Sequence, residues 1–139
     1  MILGIGTDIV RIDRLVRWQG FSPERLHKIF APSELIDCTK QGVLQPNKLA
    51  TRFAAKEAFY KALCAALVRL AIPTSGASFM AVGKQVTVCY AAWHVPQLVV
   101  NWQALEQLFA CTLPPLQVDL SLAHERDHAV AFVLVSRLN

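Results

Sequence analysis

The sequence predicts an α+β fold, in which a mainly antiparallel sheet packs against one long helix and several short ones. The first observation is a segment from Lys48 to about Leu70 whose apolar residues keep helical spacing. The second is the opening segment, Ile2 to Val10, where strand-forming residues surround two glycines. The third is a set of later segments with the alternation or the apolar runs of strands: 85–92, 97–102, 117–123 and 128–136.

Several short helices are predicted to fill residues 11–40. Residues 12–18 have the apolar spacing of a short helix after the first strand. Ser22 before Pro23 is typical of a helix start, with serine as the N-cap and proline in the first turn, and Ser33 repeats the signal. Residues 42–47 are predicted to be a loop.

Beyond the long helix, three residues predict a break in the chain: Pro73, Ser75 and Gly76. Residues 101–111 are predicted to form a further helix, ended by Pro114 and Pro115. At 139 residues the sequence is long enough for one hydrophobic core but short for two, so we expect a single domain over residues 1–139.

The composition is unusually apolar for a small domain. Hydrophobic residues make up 54% of the chain and charged residues 17%, which indicates apolar surface buried between subunits. The longest apolar stretch, residues 58–72, is interrupted by Lys61 and Arg69 and is too short to span a membrane. Asp8 stands where a secretory leader would need apolar residues, so a cytoplasmic protein is expected.

The net charge and the cysteines exclude few classes of protein. The formal net charge of +4 permits acidic partners of any kind and selects none of them. The four cysteines are widely spaced, with no C-x-x-C pair, and they are predicted to be buried free thiols rather than disulfides or metal ligands: Cys38, Cys64, Cys89 and Cys111.

The segment HERDH, residues 124–128, fits H-E-x-x-H, a motif that holds zinc through two histidines on one face of a helix. Here the flanking residues read as strands, so His124 and His128 need not converge on one ion, and no third ligand stands at a suitable spacing. The segment is therefore predicted to be a polar hairpin turn, and a zinc hydrolase is the rival interpretation.

Charged residues in apolar surroundings are better candidates for chemistry, because an unpaired buried charge is costly. Asp8 lies within the strand-like run GIGTDIV. On the long helix, Glu57 and Lys61 are four residues apart, as are Arg52 and Lys56. Ordinary surface ion pairs remain an alternative for these helix residues.

The combination of GIGTDIV at residues 4–10 with RFAAKEAFYKAL at residues 52–63 resembles the holo-acyl carrier protein synthase family of phosphopantetheinyl transferases. That family's signature is G-x-D, a long gap, then F-x-x-K-E-A-x-x-K-A. Residues 31–35, APSEL, resemble a short segment of the family, and residues 121–124 resemble its S-x-x-H element before the last strand.

The resemblance implies transfer of 4′-phosphopantetheine from coenzyme A to a serine of acyl carrier protein, with release of 3′,5′-ADP, in fatty acid biosynthesis. Two carboxylates suit Mg²⁺, so Asp8 and Glu57 are expected to hold the metal, with Glu57 also the candidate base. Lys61 is expected to stabilise charge on the reacting phosphate. Three residues are expected to contact coenzyme A phosphates: Arg52, Lys56 and His124.

The family also implies partners. Acyl carrier proteins are acidic, and Arg14, Arg25 and Lys28 match the region that the family uses to bind them. Family members form homotrimers with coenzyme A in clefts between subunits, which would account for the apolar excess. Neither a nucleic acid nor a membrane partner is expected.

The sequence departs from the family in two turns. Residues 63–67 replace a G-T-G-I turn, so the long helix is predicted to run on, and His94, Val95 and Pro96 replace a G-K-P turn. Alanine does not permit the close backbone approach that glycine allows. A catalytically weakened paralogue that binds coenzyme A or a carrier protein without efficient transfer is therefore the alternative.

Overall fold

The computed structural model describes residues 1–73 and 76–138. The helices are α1 (Asp13–Val16), α2 (Pro23–Leu26), α3 (Pro32–Cys38), α4 (Pro46–Arg69), α5 (Phe79–Gly83) and α6 (Trp102–Phe109). The strands are β1 (Ile2–Arg11), β2 (Thr39–Lys40), β3 (Val43–Leu44), β4 (Val86–Tyr90), β5 (Pro96–Val100), β6 (Leu116–Glu125) and β7 (His128–Arg137). Short 3₁₀ turns lie at Arg17–Gly20 and Ala92–His94.

The strand pairing confirms the predicted α+β class. β1, β7 and β6 form one antiparallel sheet in that order, with β7 in the centre. Two small hairpins, β2–β3 and β4–β5, complete the strand pairs of the described residues. The long helix α4 lies across one face of the three-stranded sheet, and its predicted continuation through residues 63–67 is confirmed.

Two glycines let β1 approach the backbone of α4. A methyl group on Gly6 would overlap the carbonyl oxygen of Ala58 and lie 2.7 Å from the amide nitrogen of Ala62. A methyl group on Gly4 would likewise overlap the carbonyl oxygen of Ala62. The glycines of GIGTDIV thus set the distance between strand and helix, and this close contact places Asp8 beside α4.

The two faces of the three-stranded sheet differ in exposure. The residues of β7 that face α4 are fully buried: Ala129, Ala131, Val133 and Val135. The opposite face is uncovered in the single chain, where Ile5 is 52%, Ile9 63% and Phe132 43% exposed. The unusually apolar composition therefore includes an apolar sheet face that this chain alone does not bury.

The short elements correct several predictions. Ser22 caps α2 as expected, but α3 begins at Pro32 with Ala31 as the N-cap, because the carboxylate of Glu34 accepts from the Ala31 amide. Ser33 is therefore not the N-cap. The predicted loop at residues 42–47 contains β3 and the start of α4.

Two further differences concern the second half of the chain. Helix α5 was not predicted, and Ser78 caps its start. Helix α6 ends at Phe109, because the next residue, Ala110, adopts a left-handed conformation, and neither proline is reached. The predicted break at Ser75 lies outside the described residues.

The cysteine prediction is confirmed in one respect and wrong in another. All four are free, but only Cys38 is buried, and the other three are partly exposed. Across residues 1–73 and 76–138, no helix combines the length and apolar character that crossing a bilayer requires.

Candidate active site

The HERDH segment forms the predicted hairpin. β6 continues to Glu125, which pairs with His128 of β7, so the turn itself is Arg126 and Asp127. His124 pairs with Ala129 and therefore lies on the opposite face of the sheet from His128. Among the described residues, no group of three or more histidine, cysteine or acidic side chains could hold a metal ion.

Asp8 of β1 and Lys61 of α4 form an ion pair. The ammonium of Lys61 donates to Asp8 Oδ1 at 2.9 Å and to the carbonyl oxygen of Thr7 at 3.0 Å. The Asp8 side chain is 11% exposed, and its second oxygen, Oδ2, has no hydrogen-bond partner among the described residues. Asp8 thus keeps one acceptor atom free beside the helix.

Glu57 lies next to this pair. Partial burial raises its pKa, the negative charge of Asp8 raises it further, and the charges of Lys61 and Arg14 act in the opposite direction. Two carboxylates from different elements therefore approach one another without full neutralisation, which is the arrangement that a cation stabilises. Arg14, predicted to bind a partner protein, lies close enough to influence this group.

A second site is a cavity of about 750 Å³ on the other side of α4. It is lined by Asp37, Asn47, Lys48, Thr51, Arg52, Cys89, Tyr90, His94, Pro96, Leu122 and His124. It brings together Arg52 and His124, two of the three residues predicted to contact phosphates. Lys48, Tyr90 and His94 were not predicted for this site.

Arg52 is the most buried cation of the cavity lining, with 3% of its surface exposed. Its guanidinium donates to the carbonyl oxygen of Lys48 at 3.2 Å, lies 5.4 Å from the ring centroid of Tyr90, and is 3.9 Å from the carboxylate of Asp37. The Nε atom has no hydrogen-bond partner among the described residues. A buried guanidinium with an unused donor is suited to an anion.

The two sites lie on different flanks of α4. Glu57 is five residues beyond Arg52, a rotation of about 140° around a helix. Glu57 and Lys61 face β1, whereas Arg52 shares its cavity with Leu122 and His124 of β6, and β7 separates these two strands. The predicted metal ligands and the predicted phosphate contacts therefore do not form one site within a single chain.

The structure contradicts the prediction that Lys56 contacts a coenzyme A phosphate. Its side chain has no exposed surface, and its ammonium lies 3.0 Å from Glu34 Oε2. It also donates to the carbonyl oxygens of Gly83, at 3.1 Å, and Val86. Burial lowers the pKa of Lys56, while Glu34 acts in the opposite direction.

Lys56 and Glu34 instead hold the core together. Besides the Ala31 amide, the carboxylate of Glu34 accepts from the amide of Val88 at 2.8 Å, so the pair connects α3, α4 and β4. The sequence offered one signal for this role, a glutamate within APSEL at the start of a helix, which was interpreted only as part of the family resemblance.

The two remaining predicted partner-binding residues are exposed on or beside α2. Arg25 stacks over the ring of Phe21, with 3.6 Å between its guanidinium carbon and the ring centroid. Lys28 follows α2 in a turn and is also exposed. Both cations are available to an acidic surface.

The comparisons with known proteins agree with the fold and the motifs. The sequence model of the 4′-phosphopantetheinyl transferase superfamily matches residues 4–133. A holo-[acyl-carrier-protein] synthase from Treponema pallidum is 37% identical over 135 residues, covering 97% of this chain and 96% of that protein. The chain belongs to the 4′-phosphopantetheinyl transferase superfamily.

Solved structures show the same architecture. A Helicobacter pylori holo-[acyl-carrier-protein] synthase in complex with coenzyme A is similar with a TM-score of 0.68 and 25% identity, covering 95% of this chain and 99% of that chain. A Chronobacterium ammoniagenes enzyme in complex with coenzyme A has a TM-score of 0.77 at 22% identity, with 98% of each chain covered. The chain is thus a transferase with the holo-acyl carrier protein synthase fold.

Proposed function

We propose that this chain transfers the 4′-phosphopantetheine group of coenzyme A to a serine hydroxyl of apo-acyl carrier protein. The serine oxygen forms a new bond to the β-phosphorus of coenzyme A, the bond from that phosphorus to the bridging oxygen breaks, and 3′,5′-ADP leaves. The serine proton passes to a base. The observation that carries the proposal is the grouping of Asp8, Glu57 and Lys61, which is the family's motif in three dimensions.

The residues present fit a magnesium ion. Asp8 has a free carboxylate oxygen, Glu57 lies beside it, and their mutual repulsion is reduced when a divalent cation lies between them. Asp8 and Glu57 would hold Mg²⁺, with phosphate oxygens and water completing its coordination. The ion supplies neutralisation of the diphosphate charge.

The chain's own groups have distinct roles. Lys61 is oriented by Asp8 and by the carbonyl oxygen of Thr7. In the proposed reaction its ammonium would stabilise the charge that develops on the reacting phosphate. Glu57 is the candidate acceptor of the serine proton. On the other flank of α4, Arg52 and His124 provide donors for a further phosphate of coenzyme A.

The acidic carrier protein would be oriented by the cations at 14, 25 and 28. Arg14 is near Glu57, and Arg25 and Lys28 are exposed nearby in sequence. Opposite charges on two partners increase the rate of encounter and fix their orientation. Such an orientation would bring a carrier serine toward the Asp8 and Glu57 side of α4.

A homotrimer would unite the two flanks of α4. One coenzyme A molecule would contact the cavity of one subunit and the acidic pair of its neighbour, so that the active site is completed by assembly. The exposed apolar sheet face with Ile5, Ile9 and Phe132 supports such an assembly, because its burial is favourable. We place the reaction in the cytoplasm, in fatty acid biosynthesis, with residues 1–139 acting as one domain.

The test is direct. Purified protein is incubated with coenzyme A, Mg²⁺ and several apo-acyl carrier proteins, and carrier mass is measured by mass spectrometry. Addition of the phosphopantetheine mass is the expected result. Unchanged mass for every carrier, with calorimetry still detecting coenzyme A binding, would instead favour the weakened paralogue.

A further inference from the structure

The connection between β4 and β5 contains an unusual backbone conformation. Trp93 and His94 are consecutive, and both have positive φ angles, 62° and 56°. Residues with side chains rarely adopt this region, and it is populated easily only by glycine. Such strain persists where the surrounding structure holds it, and it concentrates at functional sites.

The connection between β4 and β5 is closed by a backbone hydrogen bond and borders the cavity. The amide of Ala91 donates to the carbonyl oxygen of Val95 at 2.9 Å, which closes the hairpin around the strained pair. His94 borders the cavity that contains Arg52 and His124, whereas the almost fully exposed Trp93 is not part of the cavity lining. The strained conformation therefore brings one imidazole to the cavity.

The cavity has the character of an anion site. Lys48, Arg52, His94 and His124 line it, and Asp37 is the acidic residue in the same lining. Asp37 does not satisfy Arg52, because their closest atoms are 3.9 Å apart and the guanidinium Nε has no partner among the described residues. An anion in this cavity would meet donors from α4, from the β4–β5 connection and from β6.

The donor substrate identifies that anion. Coenzyme A carries a diphosphate, which must lie at the reacting centre beside Asp8 and Glu57, and a separate 3′-phosphate monoester on its ribose. We propose that His94 donates a hydrogen bond to this 3′-phosphate and so selects coenzyme A over donors that lack it. This inference rests on the proposed function of the chain.

The proposal explains why a strained histidine stands where the family resemblance expects glycine. Glycine would adopt the same φ angle without strain, but it would leave the anion without an imidazole donor. A residue that lowers the stability of the fold while supplying a ligand contact can be recognised by two opposite effects of its substitution. Its removal should stabilise the fold and weaken one specific interaction.

The experiment compares His94→Gly with wild-type protein. Calorimetry measures the binding of coenzyme A and of dephospho-coenzyme A, and thermal unfolding is recorded for both proteins. His94→Gly is expected to weaken coenzyme A binding about tenfold, to leave dephospho-coenzyme A binding unchanged, and to raise Tm. His94→Ala, which keeps a side chain on the strained backbone, should show the same loss without the rise in Tm.

Trp93→Gly is the matched control. It relieves the neighbouring strain, so Tm should rise, but it leaves the preference for coenzyme A intact. Equal loss for both donors in His94→Gly, or no loss for either, overturns the role of His94. If that happens while wild-type protein still modifies carrier protein, the proposed function stands. If wild-type protein binds neither coenzyme A nor 3′,5′-ADP, both proposals fail.

Discussion

Lys56 Nζ lies 3.0 Å from Glu34 Oε2 in a part of the core where neither side chain has exposed surface. The lysine also donates to two backbone carbonyls, and the glutamate accepts from the amides of Ala31 and Val88. Because these partners belong to α5, to β4 and to the start of α3, this ion pair fixes the three elements against the helix that carries Arg52 and Glu57. The ion pair therefore supports the part of α4 that carries both candidate sites, and it does so from the core.

Lys56→Met is expected to destabilise the fold by about 3–5 kcal/mol, because it leaves the charge of Glu34 buried without its cation. Urea unfolding measures the change. Lys40→Met, which alters an exposed lysine, should change stability by less than about 0.5 kcal/mol. A Lys56→Met protein of normal stability with lost coenzyme A binding would restore the role in phosphate binding that the structure contradicts.

Gly6→Ala is expected to destabilise the protein by about 3 kcal/mol or more, since its methyl group would overlap the carbonyl oxygen of Ala58. The Cα of residue 6 and the carbonyl of Ala58 both belong to the backbone of packed elements, so neither can shift without disturbing the core. Gly20→Ala is the control, because a methyl group there meets nothing within 4 Å. Thermal unfolding of the two variants should differ clearly, and equal Tm values would contradict the close contact of β1 with α4.

Asp8→Asn and Glu57→Gln are each expected to lower the rate of transfer by about 100-fold or more while leaving the fold intact. Each removes one negative ligand from the proposed magnesium site, so the Mg²⁺ concentration for half-maximal activity should also rise. Carrier mass assays over a Mg²⁺ series measure both effects. Asp13→Asn, on an exposed acid paired with Arg11, is the control. Near-normal turnover in either variant would refute the metal assignment.

Cys38 predicts a pH dependence of stability. Burial raises the pKa of its thiol from 9.0 to about 11. Between these values the unfolded chain loses the proton and the folded chain keeps it, so stability should fall as pH rises from about 9 to about 11, by up to about 2–3 kcal/mol. Below pH 9 the thiol contributes no slope.

Cys38→Ala isolates this contribution from other groups that titrate at high pH. Urea unfolding at pH 8 and pH 10.5 should show a smaller loss of stability in the variant than in wild-type protein. Parallel losses would mean that the Cys38 thiol ionises in the folded protein as readily as in the unfolded chain.

Phe132→Lys tests the proposed assembly. The residue is at the centre of the uncovered sheet face, pairs with Thr7 across β1 and β7, and would place a charge in an apolar interface. Light scattering should show a trimer for wild-type protein and single chains for the variant, with transfer lost in parallel. Ile36→Lys, on the exposed surface of α3, should keep both properties. A single-chain wild-type protein with full activity would contradict the composite site.

Much of the fold was accessible from the sequence because its signals are local. The helical spacing of apolar residues predicted α4, and alternation or apolar runs predicted β4 to β7, since these patterns depend on neighbours within a few residues. The short hairpin β2–β3 and helix α5 were missed because segments this short carry too little pattern. The motif pairing also directed attention to Asp8, Glu57 and Lys61, and the structure does bring these three together.

The sequence by itself determined the class of fold, the long helix, the hairpin nature of HERDH and the membership of a transferase family. Tertiary structure decided which charged residues border a cavity and which lie in the core. Arg52 and Lys56 are four residues apart on one helix, yet one borders a cavity and the other is enclosed by Glu34, Gly83 and Val86. The physical reason is that a buried charge is paired with a residue from a distant segment. The partner of Lys56 is Glu34, 22 residues earlier in the chain, and the local spacing of residues on a helix does not specify such packing.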